Sequence, residues 1–140
     1  MSSKSVSGLL RLRPEQMTLR IGEEQGFING YVDTFMPKHL ASFHETFSEQ
    51  KLSQMVVHGR NEALAYGFTE PRSQVHFVTL MWKIGPNFHH YPGFREVVQS
   101  IHLPGAERID RFYALTDEQW VNAKQGADDS DWFAEYREIG

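Results

Sequence analysis

The 140-residue chain contains no cysteine. That absence excludes a disulfide framework, a thiolate zinc site and a cysteine nucleophile, and it fits a reducing compartment. Long apolar runs are missing too, since no stretch approaches the ~20 apolar residues of a membrane helix. The opening MSSKSVSGLLRLR lacks the apolar run of a signal peptide. A soluble, cytoplasmic protein with no membrane partner is the expectation. Basic charge is not in excess either. The formal net charge is −4, and residues 126–140, GADDSDWFAEYREIG, carry all of it through Asp128, Asp129, Asp131, Glu135 and Glu138 against Arg137. The preceding 125 residues hold 13 acidic and 13 basic side chains. With no basic block and no basic stripe interleaved with aromatics, no nucleic-acid partner is expected. The GxSxG elbow, the GxxxxGK[ST] phosphate loop and the GxGxxG fingerprint are all absent. The chain is therefore expected to be non-enzymatic, with no cofactor.

Aromatic residues are plentiful: ten Phe, five Tyr and three Trp predict an aromatic core or interface. Between glycine and proline breaks the apolar period is near 3.6, and no alternating segment of any length occurs. The reading is all-α: a single compact bundle of about five helices over residues 14–125, a flexible N-terminal segment over 1–13 and an acidic aromatic C-terminal tail over 126–140. The first helix opens at Pro14 and carries Met17, Ile21, Ile28, Val32 and Phe35 at spacings of three, four and seven. Pro37 bends or ends it, and Leu40, Phe43 and Phe47 continue the stripe beyond a kink. Gly22, Gly26 and Gly30 share one face, where close packing of another backbone is expected, with a break in the helix as the alternative.

Ser48 is the expected N-cap of a second helix with Leu52, Met55, Val56, Gly59, Ala63 and Tyr66 on one side, stopped by Gly67. Thr69 is expected to cap a third, with Pro71 in its first turn. Its segment Val75–Ile84, VHFVTLMWKI, is apolar almost all round, which suits a central helix, a buried strand being the alternative. Gly85-Pro86 ends it, a short helix spans Phe94 to His102, and one last helix runs from Pro104 to Lys124 with Ile109, Phe112, Tyr113 and Trp120 inward. Glu107, Arg108, Asp110 and Arg111 read as a solvated face with local ion pairs.

Seven histidines prompt a search for a metal or catalytic site. His44-Glu45 begins like HExxH, but Ser48 stands where the second histidine belongs. His39 and His44 are five apart and diverge around a helix. His58 and His76 have no partner visible in the sequence. His89 and His90, in WKIGPNFHHYPG, are either a metal or catalytic pair or partly exposed loop residues with Phe88 and Tyr91 folded onto the bundle. The loop reading is the expectation, and no catalytic, cofactor-binding or metal-binding residue is assigned. In the tail, Trp132, Phe133 and Tyr136 either dock a final turn onto the bundle or form a recognition segment. In the second case the aromatics anchor a protein partner and Asp128, Asp129 and Asp131 steer its basic surface.

The order of elements carries a resemblance. An opening -RPEQM- leads through -KHLASF- to -LSQMVVHGRNEALAYGFTEPRSQVHFVTLMWKIGPNF- and a final -ERIDRFYAL-. This pattern resembles the small helical proteins encoded beside spike, adaptor and toxin genes of bacterial type VI secretion systems. An alanine before Tyr-Gly, an apolar Leu-Met in a capped helix and a Gly-x-x-Phe turn correspond here to Ala65, Tyr66, Gly67, Leu80, Met81, Gly85 and Phe88. His89 and His90 stand where the group tends to be acidic. The resemblance covers roughly residues 14–115 and implies a chaperone or co-adaptor that binds a secreted toxin or its adaptor before loading. An immunity protein that neutralises a toxin is the first alternative, and a small histidine-dependent metal-binding enzyme the second.

Overall fold

A computed structural model describes residues 24–133, the side chain of Phe133 excepted. The expected helix start at Pro14, with Met17, Ile21 and Gly22, lies outside the described residues, as do the 1–13 segment and Tyr136. Among the described residues every regular element is helical, and the chain forms seven α-helices rather than five.

Helix α1 covers 24–39 and changes pitch midway. Residues Tyr31–Phe35 form a π turn in which the Met36 N–H bonds to the Tyr31 carbonyl, and Met36–His39 resume the α-helix. Pro37 explains the irregularity. It has no N–H to give the preceding turn, and its ring crowds the carbonyl four residues back, so a wider turn just before it relieves both. Ile28, Tyr31, Val32 and Met36 face inward. Leu40 leaves helical geometry, and α2 (Ala41–Thr46) continues the apolar stripe in a new direction. The glycine face is a correction. A Cβ on Gly26 or Gly30 would meet nothing within 4 Å, so among the described residues no backbone packs closely there.

Close packing occurs one helix later. In α3 (Glu49–Ala65), the Ser48 hydroxyl accepts the Lys51 N–H at 3.1 Å, as its N-cap position predicts. Leu52, Met55, Val56, Gly59 and Ala63 are buried. A Cβ on Gly59 would lie 3.0 Å from Val78 and 3.1 Å from the Met81 sulfur, so its absence lets α4 approach. The helix ends in a Schellman motif: Phe68 N–H bonds to the Ala63 carbonyl and Gly67 N–H to that of Leu64, with Gly67 at φ +89°.

Helix α4 (Pro71–Lys83) is the central helix expected, with Phe77, Val78, Leu80, Met81 and Trp82 all buried. Glu70 rather than Thr69 occupies its N-cap position. A 3₁₀ turn at Phe88–His90 leads to α5 (Phe94–Gln99), α6 (Gly105–Tyr113) and α7 (Asp117–Gln125), and a second 3₁₀ turn, Asp129–Phe133, follows. The single last helix expected from Pro104 is thus two. Thr116 and Gln119 form a reciprocal capping box, with Gln119 N–H on the Thr116 hydroxyl at 3.1 Å and Thr116 N–H on the Gln119 amide oxygen at 2.9 Å. The break turns Tyr113 outward, half exposed, with its hydroxyl 3.0 Å from His76 Nδ1.

Phe68, Phe77, Phe88, Phe94 and Phe112 fill the centre in a continuous set of ring contacts with centroids 5.1 to 6.1 Å apart. Arg108 lies among them, only 1% exposed, which corrects its reading as part of a solvated face. Its guanidinium stacks 4.0 Å over Phe68 and donates to the carbonyls of Tyr66 and Val98 at 2.7 and 3.1 Å. Those carbonyls sit at the ends of α3 and α5, where helices leave acceptors unused, so one cation closes two helix ends. Arg111 stays on the surface, paired with Glu107 at 3.0 Å.

Candidate functional site

Two features bear on function: an aromatic groove and a histidine buried against the phenylalanine core. The groove depends on how residues 126–133 are held. The Asn87 amide donates to the Gly126 carbonyl at 3.0 Å and accepts the Asp128 N–H at 2.9 Å, while the Tyr91 hydroxyl also donates to the Gly126 carbonyl, at 2.9 Å. These three bonds set the direction of the Asp129–Phe133 turn. Trp132 consequently lies flat against the bundle, 3% exposed, with its ring 4.5 Å from that of Trp82.

Beside this pair the surface opens into a groove of about 390 Å³. Phe43 and Phe47 at α2 form one wall, Met55, Met81 and Trp82 the floor, and Trp132 with Asp129 the other wall. Phe43 and Phe47 lie 5.1 and 6.1 Å from the Trp82 ring and are only half-buried. Apolar carbon therefore remains open to water between two aromatic walls, the usual character of a site that takes an apolar side chain.

The six tail residues singled out by sequence separate accordingly. Trp132 is packed inward and forms a wall, so it is not an exposed anchor in this conformation. Asp128 and Asp129 are exposed and Asp131 is half-buried. The Phe133 side chain and Tyr136 lie outside the described residues. The groove's other residues, Phe43, Phe47, Met55, Met81 and Trp82, were read from sequence only as core. The one available signal was the excess of aromatics continuing past Pro37.

The histidine pair also divides. His89 is not a partly exposed loop residue: it is 3% exposed and sits among the rings of Tyr66, Phe77 and Phe88, 5.1 to 5.5 Å away. Its Nε2 lies 3.2 Å from Glu62 Oε1, while buried Nδ1 has no hydrogen-bond partner among the described residues. The Nε2–H tautomer satisfies this arrangement by donating to Glu62. That hydrogen bond holds the Glu62 carboxyl below the usual carboxylate range against the opposing effect of burial, with smaller electrostatic help from His89, His58 and His90. His90 is largely exposed, and its pKa is lowered, first by partial desolvation and then by His89. Among the described residues no three His, Asp or Glu side chains are grouped to hold a metal ion. No helix among them is long and apolar enough to cross a membrane.

No family model matches the chain, and no curated protein or solved structure matches it either.

Proposed function

We propose that the chain is a non-enzymatic accessory protein that holds an apolar segment of a protein partner in the groove between Phe43, Phe47, Trp82 and Trp132. The observation that supports this most is the groove itself: the half-buried rings of Phe43 and Phe47 face the buried indoles of Trp82 and Trp132, and the exposed Asp129 lines the opening. A bulky apolar side chain entering it would cover carbon now open to water, and basic residues beside that anchor would face Asp129 and its exposed neighbour Asp128. The partner class follows from the resemblance to type VI secretion accessory proteins: a secreted toxin or its adaptor, bound as a chaperone or co-adaptor binds, before loading on the spike. Apolar contact supplies affinity in this scheme and the acidic rim supplies direction.

The test is a calorimetric titration of the purified chain with each effector and adaptor protein encoded beside its gene. One of them is expected to bind, and Phe43→Ser and Asp129→Lys are each expected to weaken it by about tenfold or more. Absence of binding to any of them overturns the accessory reading, and binding indifferent to both substitutions overturns the groove as the contact. Co-expression separates this role from immunity, because an immunity protein rescues cells from the toxin whereas a chaperone raises its solubility or export.

A further inference from the structure

A second cavity lies away from the aromatic groove, where the first turns of α4 and α6 meet. It has a volume of about 300 Å³, at the small end of the range for small-molecule sites. Glu70, Arg72, Ser73 and His76 line it from α4, and Asp110 lines it from α6 above an apolar base of Ala106 and Ile109.

Three observations point to a polar ligand. First, neither helix start has a side-chain cap: the N-cap positions are Glu70, whose carboxylate makes no capping bond, and Pro104. The first backbone N–H groups of a helix have no partner within it, and they carry the positive end of the helix dipole. Secondly, Ser73 is only 3% exposed, and its hydroxyl makes no hydrogen bond to another described residue, although it lines the cavity. That hydroxyl lies 3.3 Å from where a Cβ on Gly105 would stand, at the start of α6. Thirdly, the exposed side chains of Arg72, Glu70 and Asp110 line the cavity, and none forms an ion pair with another described residue. The His76 ring is fixed by the bond between its Nδ1 and the Tyr113 hydroxyl, so it closes one side of the cavity rather than filling it.

The charges are of both signs, and this restricts the ligand. An anion alone would meet Glu70 and Asp110, and a cation alone would meet Arg72 and two positive helix ends. We propose that the cavity binds a small zwitterion of the free amino-acid class. Its carboxylate sits against Ser73, Arg72 and the helix starts, and its ammonium lies between Glu70 and Asp110. The site is independent of the aromatic groove and does not rest on the function proposed above.

The experiment is a titration of the ¹⁵N-labelled full chain with each of the common L-amino acids in turn, followed at the amides of Ser73, Gly105 and Ala106. Acetate and methylammonium serve as half-ligands. At least one amino acid is expected to move these three resonances saturably. Ser73→Ala and Asp110→Asn are each expected to weaken it about tenfold, as loss of one buried or charged hydrogen bond does. The unfolding midpoint of each variant shows that the fold is retained, and Arg72→Gln replaces Ser73→Ala should that variant lose it. No response to any amino acid overturns the proposal. Acetate or methylammonium binding as tightly as the best amino acid also overturns it, since the site would then recognise one charge only.

Discussion

Replacing Trp132 by alanine tests how the groove wall is built. The indole is only 3% exposed, and its ring packs on that of Trp82 at a 36° tilt with centroids 4.5 Å apart. A tryptophan of that burial hides about 200 Å² of surface, worth about 5 kcal/mol at ~25 cal/mol per Å² as an upper bound. The ring contact adds roughly 1 kcal/mol. The measurable loss is smaller, because Trp132 belongs to a short turn near the end of the described chain. Once that turn detaches, only its docking energy has been lost. Its other anchors are the two Asn87 bonds and the Tyr91 bond, each worth about 1 kcal/mol. Trp132→Ala should therefore cost about 3 kcal/mol by urea unfolding, a fall of roughly 10 °C in midpoint for a domain of this size. Trp82 should become exposed, giving a red-shifted emission and faster exchange of the 129–132 amides. Trp132→Phe should recover most of the loss. A Trp132→Ala protein within ~0.5 kcal/mol of the parent, with Trp82 emission unchanged, would refute the claim that this side chain holds the turn.

Three further outcomes follow from other contacts. At Gly126 a Cβ would collide with the Tyr91 hydroxyl, so Gly126→Ala should cost about 1–3 kcal/mol, and adding Tyr91→Phe should return part of it in a double-mutant unfolding cycle. Glu62 has a folded-state pKa below its ordinary value of about 4.5, so its stabilising contribution is present above that pH and disappears as pH falls through the lowered value. Glu62→Gln should therefore be less stable than the parent at neutral pH, with the gap closing as pH falls through the lowered value, and a gap that does not change with pH would contradict it. Arg108→Met keeps the volume but abandons two carbonyls and the Phe68 stack, so thermal unfolding should show a loss of about 2–4 kcal/mol, and Arg108→Lys should not restore it because a point charge cannot span both carbonyls.

Local chemistry was readable where one or two residues decide the outcome. Ser48 and Gly67 mark the ends of α3 because capping and left-handed geometry depend on the residue itself. The all-round apolar run of α4 was likewise a direct sign of burial. The break between α6 and α7 was available in Thr116-x-x-Gln119, but apolar periodicity continues across it and hides the turn. Arg108 and Arg111 look alike in sequence, three apart on one helix. Only the packing of α3 and α5 shows that one closes two helix ends while the other pairs with Glu107 in water. Gly26, Gly30 and Gly59 pose the same difficulty, since a missing side chain means close approach only where a second helix arrives. His89 was unreadable for a related reason: the carboxylate that meets it is 27 residues away. Of the groove, sequence supplied Trp132 and Asp129 but not the opposite wall, because half-buried aromatics have the same periodicity as buried ones.

Hydrogen–deuterium exchange of the chain alone, and mixed with an effector or adaptor that binds it, tests the central claim most directly. A partner seated in the groove should slow exchange in residues 42–47 and 129–132 and leave α5 and α6 unchanged. Protection confined to other helices, or none in either groove wall, would contradict the account.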